Sequence, residues 1–231
     1  MTTLLLYVST LLIGVCWTAA QWNAARKEFQ QPALKRNWLI ASILLFMVVV
    51  SFTLTAGGSG WLGDFSLFPP PFAGFFLFIW TTAIYVAYSR FGNALVKHTP
   101  MYALIAFHAF RFLAEMIIWN GYIEGLAPRQ LTFQGYNYDI VTAATALPVA
   151  WWAMRYPRSK VVWAWNLMGF GFLLIIAFIA LTSMPNALRL FMEEPTNMWV
   201  TRLPYTLLPG VLVTAAIAGH LVIWRKLRNN P

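Results

Sequence analysis

Apolar runs close to twenty residues long recur along the whole chain, each closed by a polar or Gly/Pro-rich break. They are marked at 3–21, 38–56, 72–89, 101–122, 139–154, 161–183 and 204–224. Each comes near the roughly 17–25 residues that a helix needs to cross a bilayer core. The pattern predicts an all-α bundle of seven transmembrane helices, forming one domain over 1–231.

The breaks between runs carry their own information. NAARKEFQQPALKRN follows the first run and holds Arg26, Lys27, Lys35 and Arg36. GGSGWLGDFSLFPPP follows the second and stops helices strongly, while Pro71 suits the first helical position of the third run. Residues 90–100 read as a short basic link with Lys97 and His98. IEGLAPRQLTFQGYNY, after the fourth run, is polar and aromatic but nearly uncharged. Pro148 is expected to kink the fifth run, and Gly169 and Gly171 offer the sixth a close helix approach. In the long connection that follows, ALRLFM is expected to lie as a short surface helix.

Composition agrees with the pattern. The chain is 60% hydrophobic and only 10% charged, whereas a soluble domain carries about 25% charged residues. Such a chain has too little polar surface to face water, so lipid is its solvent. The net charge of +9 raises the question of nucleic acid. The basic residues instead cluster in particular loops, which argues for topology and against a nucleic-acid face.

Loops 1, 3 and 5 with the C-terminal tail hold Arg26, Lys27, Lys35, Arg36, Arg90, Lys97, Arg155, Arg158, Lys160, Arg225, Lys226 and Arg228. The other side holds Arg129, Arg189 and Arg202. This asymmetry places the N-terminus outside and the C-terminus in the cytoplasm of a cell membrane, read as a bacterial inner membrane. No basic residue precedes the first run, which therefore reads as a retained helix and not a cleaved signal. Cys16 stands alone, which excludes an internal disulfide or a cysteine-based metal cluster.

The fourth run, MYALIAFHAFRFLAEMIIWNGY, carries His108, Arg111 and Glu115 at i, i+3 and i+7, and these line one helical face. Trp119 and Tyr122 extend that face, whereas Asn120 is turned about 140° from Glu115. Arg111 falls roughly 15 Å deep, near the bilayer middle. Ionisable groups at that depth are costly and mark function, with pairing of Arg111 and Glu115 inside one helix as the structural alternative. Asp139 opens the fifth run and reads first as a helix cap, second as a member of an outward-facing polar mouth with Glu115 and Asn120. Gln134, Asn137 and Tyr138 are candidate lid groups over that mouth, and Asn166 is expected to make an interhelical hydrogen bond.

His108 and His220 form the one candidate pair for a haem. On the marked spans they lie about 12 Å and 6 Å from the cytoplasmic surface, which favours separate core histidines over a shared iron. Most tryptophans fall near span ends, as interfacial belts do, with Trp80 and Trp165 deeper. No phosphate-binding Gly loop, HExxH or GxSxG is present. The layout of seven spans with the N-terminus outside resembles rhodopsins and seven-helix receptors in topology alone. The last span has no lysine to hold retinal.

The leading expectation is a non-enzymatic site within the membrane. It takes or passes a small anionic or amphiphilic molecule from the outer side, with Arg111 as anion partner and Glu115 as orienting or protonatable group. His108, Asn120, Asp139, Trp119 and Tyr122 complete the candidate set. The alternatives are a membrane enzyme acting on a lipid or quinone, and an accessory or sensory subunit meeting another membrane protein.

Overall fold

A computed structural model describes residues 1–229. It is all-helical, with no strand among the described residues. The helices are α1 (Thr2–Glu28), α2 (Pro32–Gly58), α3 (Pro71–Tyr88), α4 (Arg90–His98), α5 (Met101–Phe107), α6 (Arg111–Ile123), α7 (Asp139–Arg155), α8 (Lys160–Thr182) and α9 (Thr214–Arg228). A 3₁₀ turn, His108–Phe110, joins α5 to α6, and a π-helical stretch, Leu208–Val213, leads into α9.

Six segments are long and apolar enough to cross a membrane: α1, α2, α3, α5 with α6, α8, and α9 with its π-helical lead. They make this a multi-pass membrane protein. The helix of the fifth apolar run, α7, has 17 residues and continues through Pro148.

Several helices outrun the apolar run that marked them. α1 continues through NAARKE, a stretch of good helix formers, and α2 starts at Pro32, whose missing N–H is unneeded in a first turn. The last helix begins at Leu208, later than its run, with Pro209 in the first turn. Residues 90–98 are a helix and not the simple link that their charge suggested. Ser89 caps α4 by accepting hydrogen bonds from the N–H groups of Phe91 and Gly92. Gly92 is required there, because a Cβ would stand 2.1 Å from the Ala87 carbonyl oxygen.

Gly125, at φ 71°, ends α6. The Leu126 N–H returns to the Gly121 carbonyl and the Gly125 N–H to that of Tyr122, a Schellman arrangement that only a left-handed residue permits. The ALRLFM segment is not helical. Leu190 and Phe191 both donate their N–H groups to the Thr182 carbonyl, and Leu188 donates to Asn186 Oδ1, so fixed acceptors hold the strip open. Leu188, Leu190 and Met192 are exposed along it. Beside it Arg189 hydrogen-bonds Glu194 and, with the Thr196 N–H, holds that carboxyl below its ordinary range.

Contacts between helix ends define two ends of the bundle. At one, Lys97 pairs with Glu28, Lys27 donates to the His98 carbonyl, and Arg225 reaches the Ala87 carbonyl and Asn93. At the other, Thr2 donates to Glu124. The core lies between them, where Leu6 of α1, Ile79 of α3, Ile105 of α5, Ile117 of α6, Leu212 of the π-helical stretch, and Ile217 and Ile223 of α9 are almost fully buried. α2 lies to one side, exposing Ile40, Leu44, Met47 and Val48 as a lipid-facing helix should.

Candidate functional site

Arg111 is the first residue of α6, directly after the 3₁₀ turn. A 3₁₀ turn repeats every three residues, so His108 and Arg111 stack on one side before the α-helix resumes toward Glu115. All three are buried, from 0% exposed for His108 to 2% for Glu115. The single face expected of this helix exists, and it points inward.

The partners arrive from other helices. Arg111 Nε donates to Asp139 Oδ2 at 2.8 Å and its Nη2 to Asp139 Oδ1, the two-point grip of a guanidinium on a carboxylate. Nη2 also lies 3.4 Å from the Gly169 carbonyl on α8. Nη1 lies 2.7 Å from Nε2 of His220 on α9. A guanidinium only donates, so His220 Nε2 accepts and its proton sits on Nδ1. Nδ1 then donates to Asn166 Oδ1 at 2.9 Å, and Asn166 Nδ2 returns to the His220 carbonyl at 3.3 Å. The interhelical bond expected of Asn166 is therefore present.

Glu115 does not pair with Arg111, contrary to the structural alternative. Its two oxygens accept from one amide nitrogen, Asn137 Nδ2, at 3.0 and 2.8 Å. Asn137 also donates to the Leu131 carbonyl, and its Oδ1 accepts the Asp139 N–H at 2.9 Å. Asp139 is thus no cap for its own helix. Its N–H is served by Asn137, and its carboxylate is spent on Arg111. Of the three lid candidates only Asn137 reaches the cluster, while Gln134 and Tyr138 are exposed.

His108 lies beneath this network. Its ring centroid is 4.1 Å from that of His220 at 43°, with Trp165 edge-on at 5.5 Å. The two histidines are neighbours in depth, so their separate depths from the marked spans are corrected: the last helix starts and ends later than its run. Ring-to-ring contact leaves no thickness for a porphyrin between them, and His220 Nε2 is engaged by Arg111. The pair does not suit one haem. Neither ring nitrogen of His108, nor Oγ1 of Thr142, has a hydrogen-bond partner among the described residues.

Two glycines let the rings in. A Cβ on Gly169 would stand 2.6 Å from His220 Cε1 and 2.6 Å from Thr142 Cγ2, and one on Gly219 would stand 2.7 Å from His108 Nε2. Gly169 thus makes the close approach expected of it, while Gly171 meets nothing within 4 Å.

The remaining candidates fall elsewhere. Trp119 packs on Tyr122 at 5.5 Å and on Phe133 at 4.8 Å. Asn120 is half-buried and takes no part in the hydrogen bonds of the cluster. Residues that reasoning along the fourth run left out are Gly219, Thr142 and the backbone of Gly169. Their signal is small size or modest polarity, which sequence alone does not separate from ordinary packing.

Chemically the cluster has one guanidinium, two carboxyls, two imidazoles and two amides, drawn from the 3₁₀ turn, α6, α7, α8, α9 and the connection before α7. Among the described residues no group of three or more His, Cys, Asp or Glu side chains is placed to hold a metal. The arrangement is a charged site sealed inside a helical membrane bundle.

The family model described as "Domain of unknown function (DUF8737)" matches residues 71–228, and the chain belongs to that family. The matched stretch begins at α3 and contains every member of the cluster. No curated protein and no solved structure matches the chain.

Proposed function

We propose that the protein is a seven-span, non-enzymatic binding or permeation protein of a cell membrane, with the N-terminus outside and the C-terminus in the cytoplasm. Its site takes a small anionic or amphiphilic molecule from the outer side. α7 serves as the remaining span, its 17 residues reaching about 25 Å. The twelve-to-three split of basic residues carries the orientation.

The observation supporting an anion is the two-point grip of Arg111 on a carboxylate deep in the bundle. Arg is the side chain best matched to such planar groups, and a membrane helix carries one at a cost. The resident carboxylate belongs to Asp139, at the first residue of α7 and beside the polar connection 124–138, not in mid-helix. Rotation of the Asp139 carboxyl away from Arg111 would free the guanidinium for a ligand of the same chemistry.

Hexanesulfonate tests this, being a small amphiphilic anion whose charge does not change with pH. Titrated calorimetrically into protein held in lipid nanodiscs, it should bind at one site. Arg111→Lys, which keeps the charge but loses the two-point geometry, should weaken that binding about tenfold, or about 1.4 kcal/mol. Absent binding, or equal affinity in the two proteins, would overturn the reading.

A further inference from the structure

We infer that anion binding at Arg111 draws one proton into the membrane interior, and that Asp139 is its acceptor. This rests on the anion-site reading above and adds its coupling.

The argument is a count of charges in a sealed space. Arg111 is the one permanent cation of the cluster, and it faces two carboxyls, Asp139 at 5% and Glu115 at 2% exposure. In the resting structure Asp139 neutralises Arg111, and Glu115 leans on the Asn137 amide without a cation. An incoming anion that takes the guanidinium leaves Asp139 with no cation beside it. An isolated carboxylate in a low-dielectric interior is far costlier than its neutral acid. The balanced exchange is therefore that the ligand anion displaces Asp139 from Arg111 while one proton from solvent adds to an Asp139 oxygen. The net charge of the cluster is unchanged.

Among the described residues the surroundings of Asp139 offer no other buried cation to take over, Arg129 of the connection before α7 being exposed. The 3₁₀ turn and α6 bring His108, Arg111 and Glu115, and α9 brings His220, already an acceptor for Arg111. α5 has only Tyr102 among titratable groups, and it is partly exposed. α8 presents no titratable group except Lys160, at its opposite terminus. α7 itself adds only Arg155, at its far end. Asn137 holds the Asp139 N–H, so the chain can swing its carboxyl away from Arg111 without losing that backbone bond.

The test counts protons. Hexanesulfonate carries no titratable group near neutral pH, so calorimetry in two buffers of different ionisation enthalpy reads protons taken up by the protein. The wild type in nanodiscs at pH 7 should take up about one proton per anion, and its affinity should rise about tenfold for each pH unit lowered. Asp139→Asn should bind the anion with no proton uptake and little pH dependence. Glu115→Gln should still take up about one, which keeps the test open if the first variant does not fold.

Binding by the wild type without proton uptake overturns the coupling and leaves the anion site standing. Uptake that persists in Asp139→Asn, or vanishes in Glu115→Gln, overturns Asp139 as acceptor. No binding by the wild type overturns the anion site itself, and the coupling with it.

Discussion

Arg111 on α6 and Asp139 at the start of α7, 28 residues apart in sequence, face each other as guanidinium and carboxylate inside the bundle. The pair joins the polar connection to the helix core.

Removing one partner strands the other charge, which typically costs about 3–5 kcal/mol in a buried pair. Arg111→Ala and Asp139→Ala should each lower thermal stability strongly. The double variant Arg111→Ala/Asp139→Ala should lose less than the two single losses summed. Thermal unfolding of all four proteins closes this cycle, and strict additivity would mean that the two residues are not coupled.

Gly169 and Gly171 are one helical turn region with opposite surroundings. Gly169→Ala places a methyl against His220 and Thr142, and overpacking of this kind costs about 1–3 kcal/mol. Gly171→Ala meets open space, and the gain in helix propensity is up to about 1 kcal/mol. Melting temperatures should therefore move in opposite directions.

Orientation is checked by labelling. In a Cys16→Ser background, Gln31→Cys lies in the first basic loop and Glu193→Cys in the long connection before the last helix, and both positions are exposed. A membrane-impermeant maleimide added to intact cells should label position 193 and spare position 31 until the cells are opened. The reverse pattern would invert the topology.

Much of the fold was legible because the lipid core imposes one length and one polarity on every span. The seven apolar runs are all helical, the fourth as two α-helices joined by a 3₁₀ turn and the last with a π-helical start, with ends shifted where Arg26, Lys27 or Pro32 continue or start a helix beyond the apolar stretch. The site was legible in part. The spacing of His108, Arg111 and Glu115 identified the buried face. What spacing cannot give is the partner across helices. Asp139 looked like a cap because a carboxyl at a helix start usually is one, and His220 looked too shallow because its helix begins later than its apolar run. Asn137 was visible as one of three lid candidates in the polar connection, with nothing to mark it over Gln134 and Tyr138 as the partner of Glu115.

The most direct measurement of the central claim, an anion site at Arg111, is the thermal shift that hexanesulfonate gives Asp139→Asn compared with wild type. The variant leaves Arg111 without its resident carboxylate, so an external anion should occupy it more readily. A ligand binding only the folded state stabilises according to its concentration over Kd. The account predicts a melting temperature that rises with hexanesulfonate in both proteins, more steeply in Asp139→Asn. Equal curves, or a shift that is smaller in the variant, would contradict it.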